Sequence, residues 1–212
     1  MTSISEGYSV ELDAAPPPPR LASTGDPAIL GLPIFVVGSI ALAFSLVGYV
    51  PSAASGIVVP VIFAATGLGL VISTVWAAAL GQTLVASIFG LFAGFWLSFA
   101  VLLLGLFHNW LLLPAADVNK SIALFLISWA IVMAALTLAT IRLPVSYTAV
   151  IALVVAALVL RTIGVLNTDS TLNHAAGWVA FAFAALGVYL FLHAADTATG
   201  GSGLPLGPPL RR

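Results

Sequence analysis

Six apolar segments follow one another between Pro27 and Asp196, and each is long enough to cross a lipid bilayer as a helix. A helix needs about 20 apolar residues to span ~30 Å of hydrocarbon. Hydrophobic residues make up 61% of the chain and charged residues 6%, whereas a soluble domain is about one-quarter charged. The sequence therefore predicts an all-α integral membrane protein whose six transmembrane helices form one compact bundle.

Prolines, glycines and a few charged residues bound the predicted spans. Only Leu80, Gly81 and Gln82 separate the second span from the third, so these two helices form a tight antiparallel pair. The polar run at 167–170 carries capping residues for the sixth helix. The predicted spans cover about residues 28–49, 56–79, 83–107, 121–141, 145–166 and 173–195.

The chain divides into three regions. Residues 1–25 contain the run Pro16–Pro19 and lack the basic start and apolar core of a secretory signal, so we expect a disordered Pro-rich tail. We expect residues 26–196 to form a six-helix transmembrane domain. Residues 197–212 are rich in Gly and Pro, and we expect a flexible C-terminal tail. If the Pro-rich tail recruits a partner, the protein would be a membrane scaffold.

The positions of the basic residues predict the orientation. With six spans, both termini lie on one side of the membrane. Arg20, Arg142 and residues 211–212 then fall on that side, and Lys120 and Arg161 lie nearer the other. Since cytoplasmic loops carry an excess of Lys and Arg, we expect a multi-pass protein of the cell membrane with both termini in the cytoplasm.

Polar chemistry within the spans is sparse. The chain has no cysteine, no His pair at metal spacing, no paired carboxylates and no Walker loop. His108, His174 and His193 all fall near span ends rather than in one layer. We therefore expect neither an enzyme nor a bound metal or cofactor. A net charge of -1 without a basic patch gives no reason to expect nucleic acid.

Two titratable residues near span ends have alternative interpretations. Arg161 lies about five residues before the end of the fifth helix, where it either reaches the interface as a snorkelling side chain or forms a cation at a pore mouth. His174 opens the sixth helix, either as an interfacial residue or as part of a proton-linked step. Phe35, Phe92 and Phe95 lie deeper, as lipid-facing residues, packing residues or a hydrophobic constriction.

The start of the first helix resembles a known family. Asp26 precedes a Pro at the first helical position, which is typical of a helix start. The segment 26–32 resembles the Asn-Pro-Ala-Pro-Leu-Gly-Leu signature of the acetate uptake transporter family, which includes bacterial succinate–acetate permeases (YaaH-like proteins) and fungal acetate and ammonia-export transporters. Asp26 and Ile29 depart from that signature. The residues that agree with it are Pro27, Ala28, Leu30, Gly31 and Leu32.

Later landmarks extend the resemblance over about residues 26–207. The segments 94–97, 174–178 and 204–207 resemble the family's Ser-Phe-Trp-Leu, His-Phe-Ala-Gly-Trp and Leu-Pro-Ile-Gly. The resemblance implies a six-helix subunit, assembled as a hexamer with one pore per subunit. It also implies transport of acetate, and sometimes succinate or other small monocarboxylates, by proton symport or through a channel-like path.

The resemblance also implies a constriction. In family members it is formed by a Phe on the first helix, a Tyr on the third and a Leu on the fifth, and these positions fall on Phe35, Phe92 and Val154 of this sequence. The chain departs from the pattern at Phe92, which lacks the Tyr hydroxyl, at the smaller Val154, and at Arg161, where the family is normally apolar. Arg161 and His174 are expected as electrostatic contributors.

We therefore expect a transporter or channel for acetate and related short-chain carboxylates. Its expected partners are the lipid bilayer, the small carboxylate, protons and further copies of the same chain. A pore for a neutral solute such as urea, ammonia or water remains an alternative, because the constriction lacks the Tyr hydroxyl and no span carries a cation at mid-membrane.

Overall fold

A computed structural model describes residues 25–211 of the chain, and six long apolar helices account for most of them. This confirms the prediction of an all-α membrane protein with six transmembrane helices. We call the end of the bundle where the first helix begins and the sixth ends the proximal end, and the opposite end the distal end. The helices are α1 (Ala28–Leu46), α2 (Ala53–Ala79), α3 (Thr83–Phe107), α4 (Val118–Ala139), α5 (Val145–Leu166) and α6 (Ser170–Ala198).

Four helices differ by a few residues from the predicted spans, and α2 begins three residues before its predicted start. α1 ends at Leu46 rather than Tyr49, because Gly48 takes a φ of 79° and the Tyr49 N–H donates back to the Phe44 carbonyl at 3.0 Å. Such a left-handed glycine closes a helix without the steric penalty of a Cβ. α4 begins three residues earlier than predicted. α6 is longer at both ends, and the Asp169 carboxylate caps it.

The second helix is irregular along its first half. It opens with a 3₁₀ segment (Ser52–Ile57) and passes through a π-helical segment (Val61–Leu68) before becoming regular. The wider π-helical turn brings Thr66 against α1. A Cβ added to Gly38 would overlap the Thr66 side chain. π-Helical turns within α-helices are rare, and nothing in the apolar sequence of α2 predicted this one.

The six helices form a ring. α1 packs between α2 and α6, α3 packs on α2, and α5 packs between α4 and α6. Aromatic side chains close the ring between α3 and α4: the ring centroids of Phe95 and Trp129 lie 5.7 Å apart, and those of Phe99 and Phe125 lie 6.0 Å apart. This arrangement leaves an internal space along the ring axis.

The chain after α6, for which we expect a flexible tail, makes contacts with the helices. It folds back along the proximal end, where the Leu206 carbonyl accepts hydrogen bonds from the N–H and the hydroxyl of Ser146 at 3.2 and 2.6 Å. The Tyr189 hydroxyl donates to the Pro205 carbonyl at 2.6 Å. These bonds satisfy backbone carbonyls that Gly- and Pro-rich sequence cannot pair within a helix.

The outer surface of the ring is apolar. Large hydrophobic side chains such as Ile72, Leu124 and Ile131 are exposed at mid-helix, with exposed fractions of 60%, 68% and 66%. A soluble protein rarely leaves so much apolar surface in water. A lipid environment explains this surface.

Candidate functional site

A cavity of about 270 Å³ occupies the distal half of the ring. Its wall is built from the inward faces of α1, α3, α4, α5 and α6, with Ser55 and Val58 from the start of α2. On α3 the lining residues include Phe92, Phe95, Trp96 and Phe99, which recur at the three- and four-residue spacing of one helix face. The wall is therefore largely aromatic.

Phe35 and Phe92 close the cavity toward the proximal end. Their ring centroids are 4.9 Å apart in an edge-to-face arrangement, and Phe183 lies 5.8 Å from Phe35. Both phenylalanines also line a smaller cavity of about 40 Å³ whose remaining walls include Leu32 and Tyr147. The Phe35–Phe92 pair thus separates a distal cavity from a proximal one.

Val154 is the third predicted constriction residue, and it lies on the wall of the distal cavity. It is buried, and the residues on its proximal side, Val150 and Ile151, line the smaller cavity. Phe35, Phe92 and Val154 therefore all line the distal cavity, and of the three only the two phenylalanines also line the smaller one.

Arg161 also lines the distal cavity, so it faces the interior of the ring rather than only the interface. It follows Val154 by two turns on the same face of α5, about 10 Å farther along the helix at 1.5 Å per residue. The other polar side chains of the wall are Ser45, Ser55 and Trp96. The Trp96 indole N–H has no hydrogen-bond partner among the described residues.

The signature residues lie mostly beside the path and not on it. The Asp26 carboxylate accepts a hydrogen bond from the Ala28 N–H at 2.9 Å, as expected for a helix start. Gly31 lets the Phe89 ring pack against α1, since a Cβ would overlap that ring. Leu32 lines the smaller cavity. The other residues of the predicted set, Pro27, Ala28 and Leu30, line neither cavity.

His174 is not part of the cavity wall. It is exposed at the start of α6, next to Gly48 in the turn that follows α1. The distal cavity therefore contains Arg161 but not His174.

Sequence reasoning missed several lining residues. Phe183 and Phe125 contribute to the wall. The helices are apolar on every face, so no periodicity separates inward from outward positions. Among the described residues no group of His, Asp or Glu side chains is arranged to hold a metal.

The ring of six apolar helices with its internal cavities defines an integral membrane protein with an interior suited to a small solute. The GPR1/FUN34/yaaH family model matches residues 8–201, and the chain belongs to this family. The match confirms the resemblance found at the first helix and the later landmarks.

One solved structure, that of the bacterial acetate channel SatP, has the same fold. It superposes with a TM-score of 0.76 at 24% sequence identity, covering 87% of this chain and 99% of that chain. No curated protein matches the sequence significantly.

Proposed function

We propose that this protein is a channel or transporter for acetate and related short-chain carboxylates, with the path running through the ring of each subunit. The observation that carries the proposal is the pair of cavities that meet at Phe35 and Phe92. The family membership and the fold shared with an acetate channel support it.

The constriction would act as a hydrophobic gate. Phe35, Phe92 and Val154 present only carbon atoms at the narrowest level, and such a ring blocks hydrated ions by excluding water. Passage of a small carboxylate then requires the rings to move apart, and Phe35 and Phe92 pack edge to face with no covalent or polar tie between them. Arg161 would raise the local concentration of anions at the distal side of the gate.

The proposal is tested by uptake of radiolabelled acetate into proteoliposomes. Val154→Trp should block uptake by filling the gate. Ala156→Trp is the matched control, because Ala156 is exposed on the outer face of the same helix and should leave uptake unchanged. Wild-type uptake no greater than that of empty liposomes would refute the acetate proposal.

A neutral-solute pore is the second candidate, favoured by the all-carbon side chains of Phe35 and Phe92, which line both cavities. The same liposomes distinguish the two. Swelling in urea that is insensitive to acetate, together with no acetate uptake, would favour the neutral solute.

We further infer that both termini are cytoplasmic and that transport is proton-linked. Arg142 and Arg211 lie at the proximal end and Lys120 at the distal end, which supports the orientation. Labelling of single cysteines introduced at 142 and 120 with a membrane-impermeant reagent tests it. Acetate uptake that is driven by an imposed pH gradient, exceeds that of empty liposomes and is abolished by a protonophore tests the coupling.

We also infer a homo-oligomer, a hexamer by resemblance to the family. The apolar outer surface of the ring gives it room for subunit contacts as well as lipid. The mass of the protein in nanodiscs or after native extraction measures the number of subunits, and a monomer that transports would contradict the inference.

A further inference from the structure

The distal cavity is large for acetate. Its volume of 270 Å³ corresponds to roughly nine water molecules at about 30 Å³ each. Acetate, with a single methyl group and one carboxylate, fills less than half of it. Water fills the remainder poorly, because a buried water needs two to four polar partners and the wall between Trp96 and Phe183 is mostly carbon.

The positive charge of the cavity lies at one end of this apolar space. Among the described residues, Arg161 is the only charged side chain on the wall, and none of their carboxylates contributes to its electrostatic environment. The Asp169 carboxylate, eight residues farther along the chain, accepts hydrogen bonds from the backbone N–H groups of Thr171 and Leu172. The guanidinium is therefore available to an anionic ligand.

The distance from this charge to the gate sets the length of the ligand. Along α5 the face from Val154 through Ala157 and Leu158 to Arg161 measures about 10 Å. A helical side chain leans toward the start of its helix, so Arg161 leans from the distal end toward the gate. A carboxylate paired with Arg161 would leave several ångströms of aromatic wall for an apolar body.

We propose that the distal cavity binds monocarboxylates with an apolar body larger than a methyl group, such as benzoate or hexanoate. The carboxylate pairs with Arg161, and the apolar body packs against the aromatic wall on the distal side of Phe35 and Phe92. This rests on the proposed function, since it names the substrate class of the same path. Trp96 also lines this wall, and its buried indole N–H has no hydrogen-bond partner among the described residues.

Equilibrium binding tests the ligand class. Calorimetric titrations at neutral pH use the protein in nanodiscs, with empty nanodiscs subtracted, and compare acetate with hexanoate, benzoate and their neutral amides. Each buried methylene should strengthen binding about fourfold, so hexanoate and benzoate should bind at least tenfold more tightly than acetate. The amides should bind at least tenfold more weakly than the acids. Equal affinity of acetate and benzoate would overturn the proposal.

A chain-length series separates the cavity from the lipid. Affinity should rise from acetate through hexanoate and then stop rising, because a longer tail meets the Phe35–Phe92 pair. A steady rise through decanoate, equal in protein-containing and empty nanodiscs, would mean partitioning into lipid and would overturn the proposal.

Matched variants test the two ends of the site. Arg161→Met should remove the preference for benzoate over benzamide, while Arg161→Lys should keep most of it. Arg142→Met, at an exposed position outside the cavity, should change nothing. Ala157→Phe should weaken benzoate much more than acetate, and Ala156→Phe should weaken neither. An unchanged benzoate preference in Arg161→Met, in protein that elutes as a single folded species, would overturn the assignment of Arg161.

The two proposals fail in different ways. Normal acetate uptake with no binding preference for the larger acids overturns the ligand class and leaves the transport proposal intact. Tight, Arg161-dependent benzoate binding without any acetate flux overturns the transport proposal and retains the binding site.

Discussion

The contact between Gly38 on α1 and Thr66 in the π-helical segment sets the spacing of the two helices one turn from Phe35. A Cβ on Gly38 would lie 2.8 Å from the Thr66 Cγ2, and it would lie closer still to the Thr66 hydroxyl oxygen. Both residues are fully packed, with Thr66 at 0% exposure. Gly38→Ala should therefore destabilise the protein by about 1–3 kcal/mol, the range for overpacking in a close-packed interior.

Thr66 supplies the reverse test. Its hydroxyl is buried and has no hydrogen-bond partner among residues 25–211, and an unsatisfied buried hydroxyl costs about 1–3 kcal/mol. Thr66→Ala removes that cost and loses about 0.8 kcal/mol of methyl burial. The single variant should be neutral or more stable than wild type. The double variant Gly38→Ala/Thr66→Ala should recover part of the loss, with a coupling free energy of about 0.5–3 kcal/mol. Recovery is partial because Thr66→Ala keeps the Cβ at this position, which lies 2.9 Å from a Cβ on Gly38.

Reversible unfolding in mixed micelles, followed by circular dichroism for the wild type and the three variants, measures this coupling. Gly56→Ala is the control, because its Cβ would meet nothing nearer than 3.7 Å. It should not destabilise, since an unstrained Gly→Ala change stabilises by about 0.4–1 kcal/mol. Additive effects of Gly38→Ala and Thr66→Ala would refute the reasoning, because they would mean that the two side chains do not meet.

Truncation after Gly201 should lower the stability by roughly 2–5 kcal/mol, because it removes several hydrogen bonds worth about 0.5–1.5 kcal/mol each; thermal melts of the truncated chain measure the loss. Asp169→Ala should cost about 0.5–2 kcal/mol in the same melts, because the carboxylate caps α6, whereas Asp169→Asn should cost less. Asp26→Asn should leave both stability and acetate uptake unchanged, because the amide oxygen still accepts from the Ala28 N–H and Asp26 lines neither cavity; higher uptake in this variant would contradict that placement.

The number and order of the helices followed from the sequence, because only a helix satisfies the backbone of a long apolar segment in lipid. The predicted helix ends were less accurate, since hydropathy records neither the positive φ of Gly48 that ends α1 nor the Asp169 carboxylate that caps α6. The π-helical segment of α2 and the docking of residues 203–211 depend on tertiary contacts. No local sequence pattern predicts these two features.

Residues of the candidate site were predicted only where a charged residue interrupts an apolar span or where the sequence resembles the family. Arg161 stood out because a charge within a span is rare, and Phe35, Phe92 and Val154 came from the resemblance. Phe183 and Phe125 could not be found, because each is one more aromatic residue in a helix that is apolar all round.

The departures from the family pattern share one physical consequence at the site. Phe92 in place of a Tyr removes a hydroxyl from the proposed constriction, while Arg161 adds a charge on a residue whose backbone lies about 10 Å from Val154 along α5. The attraction for an anion therefore lies above the gate and not within it. A carboxylate would be desolvated in two steps, first by pairing with Arg161 in the cavity and then by entering the Phe35–Phe92 level without a polar partner. The desolvation free energy of this second step is higher for a small anion, because the charged group makes up a larger share of its surface. An anion with a larger apolar body already contacts the aromatic wall. That difference is the physical reason to expect this chain to favour carboxylates with larger apolar bodies than acetate.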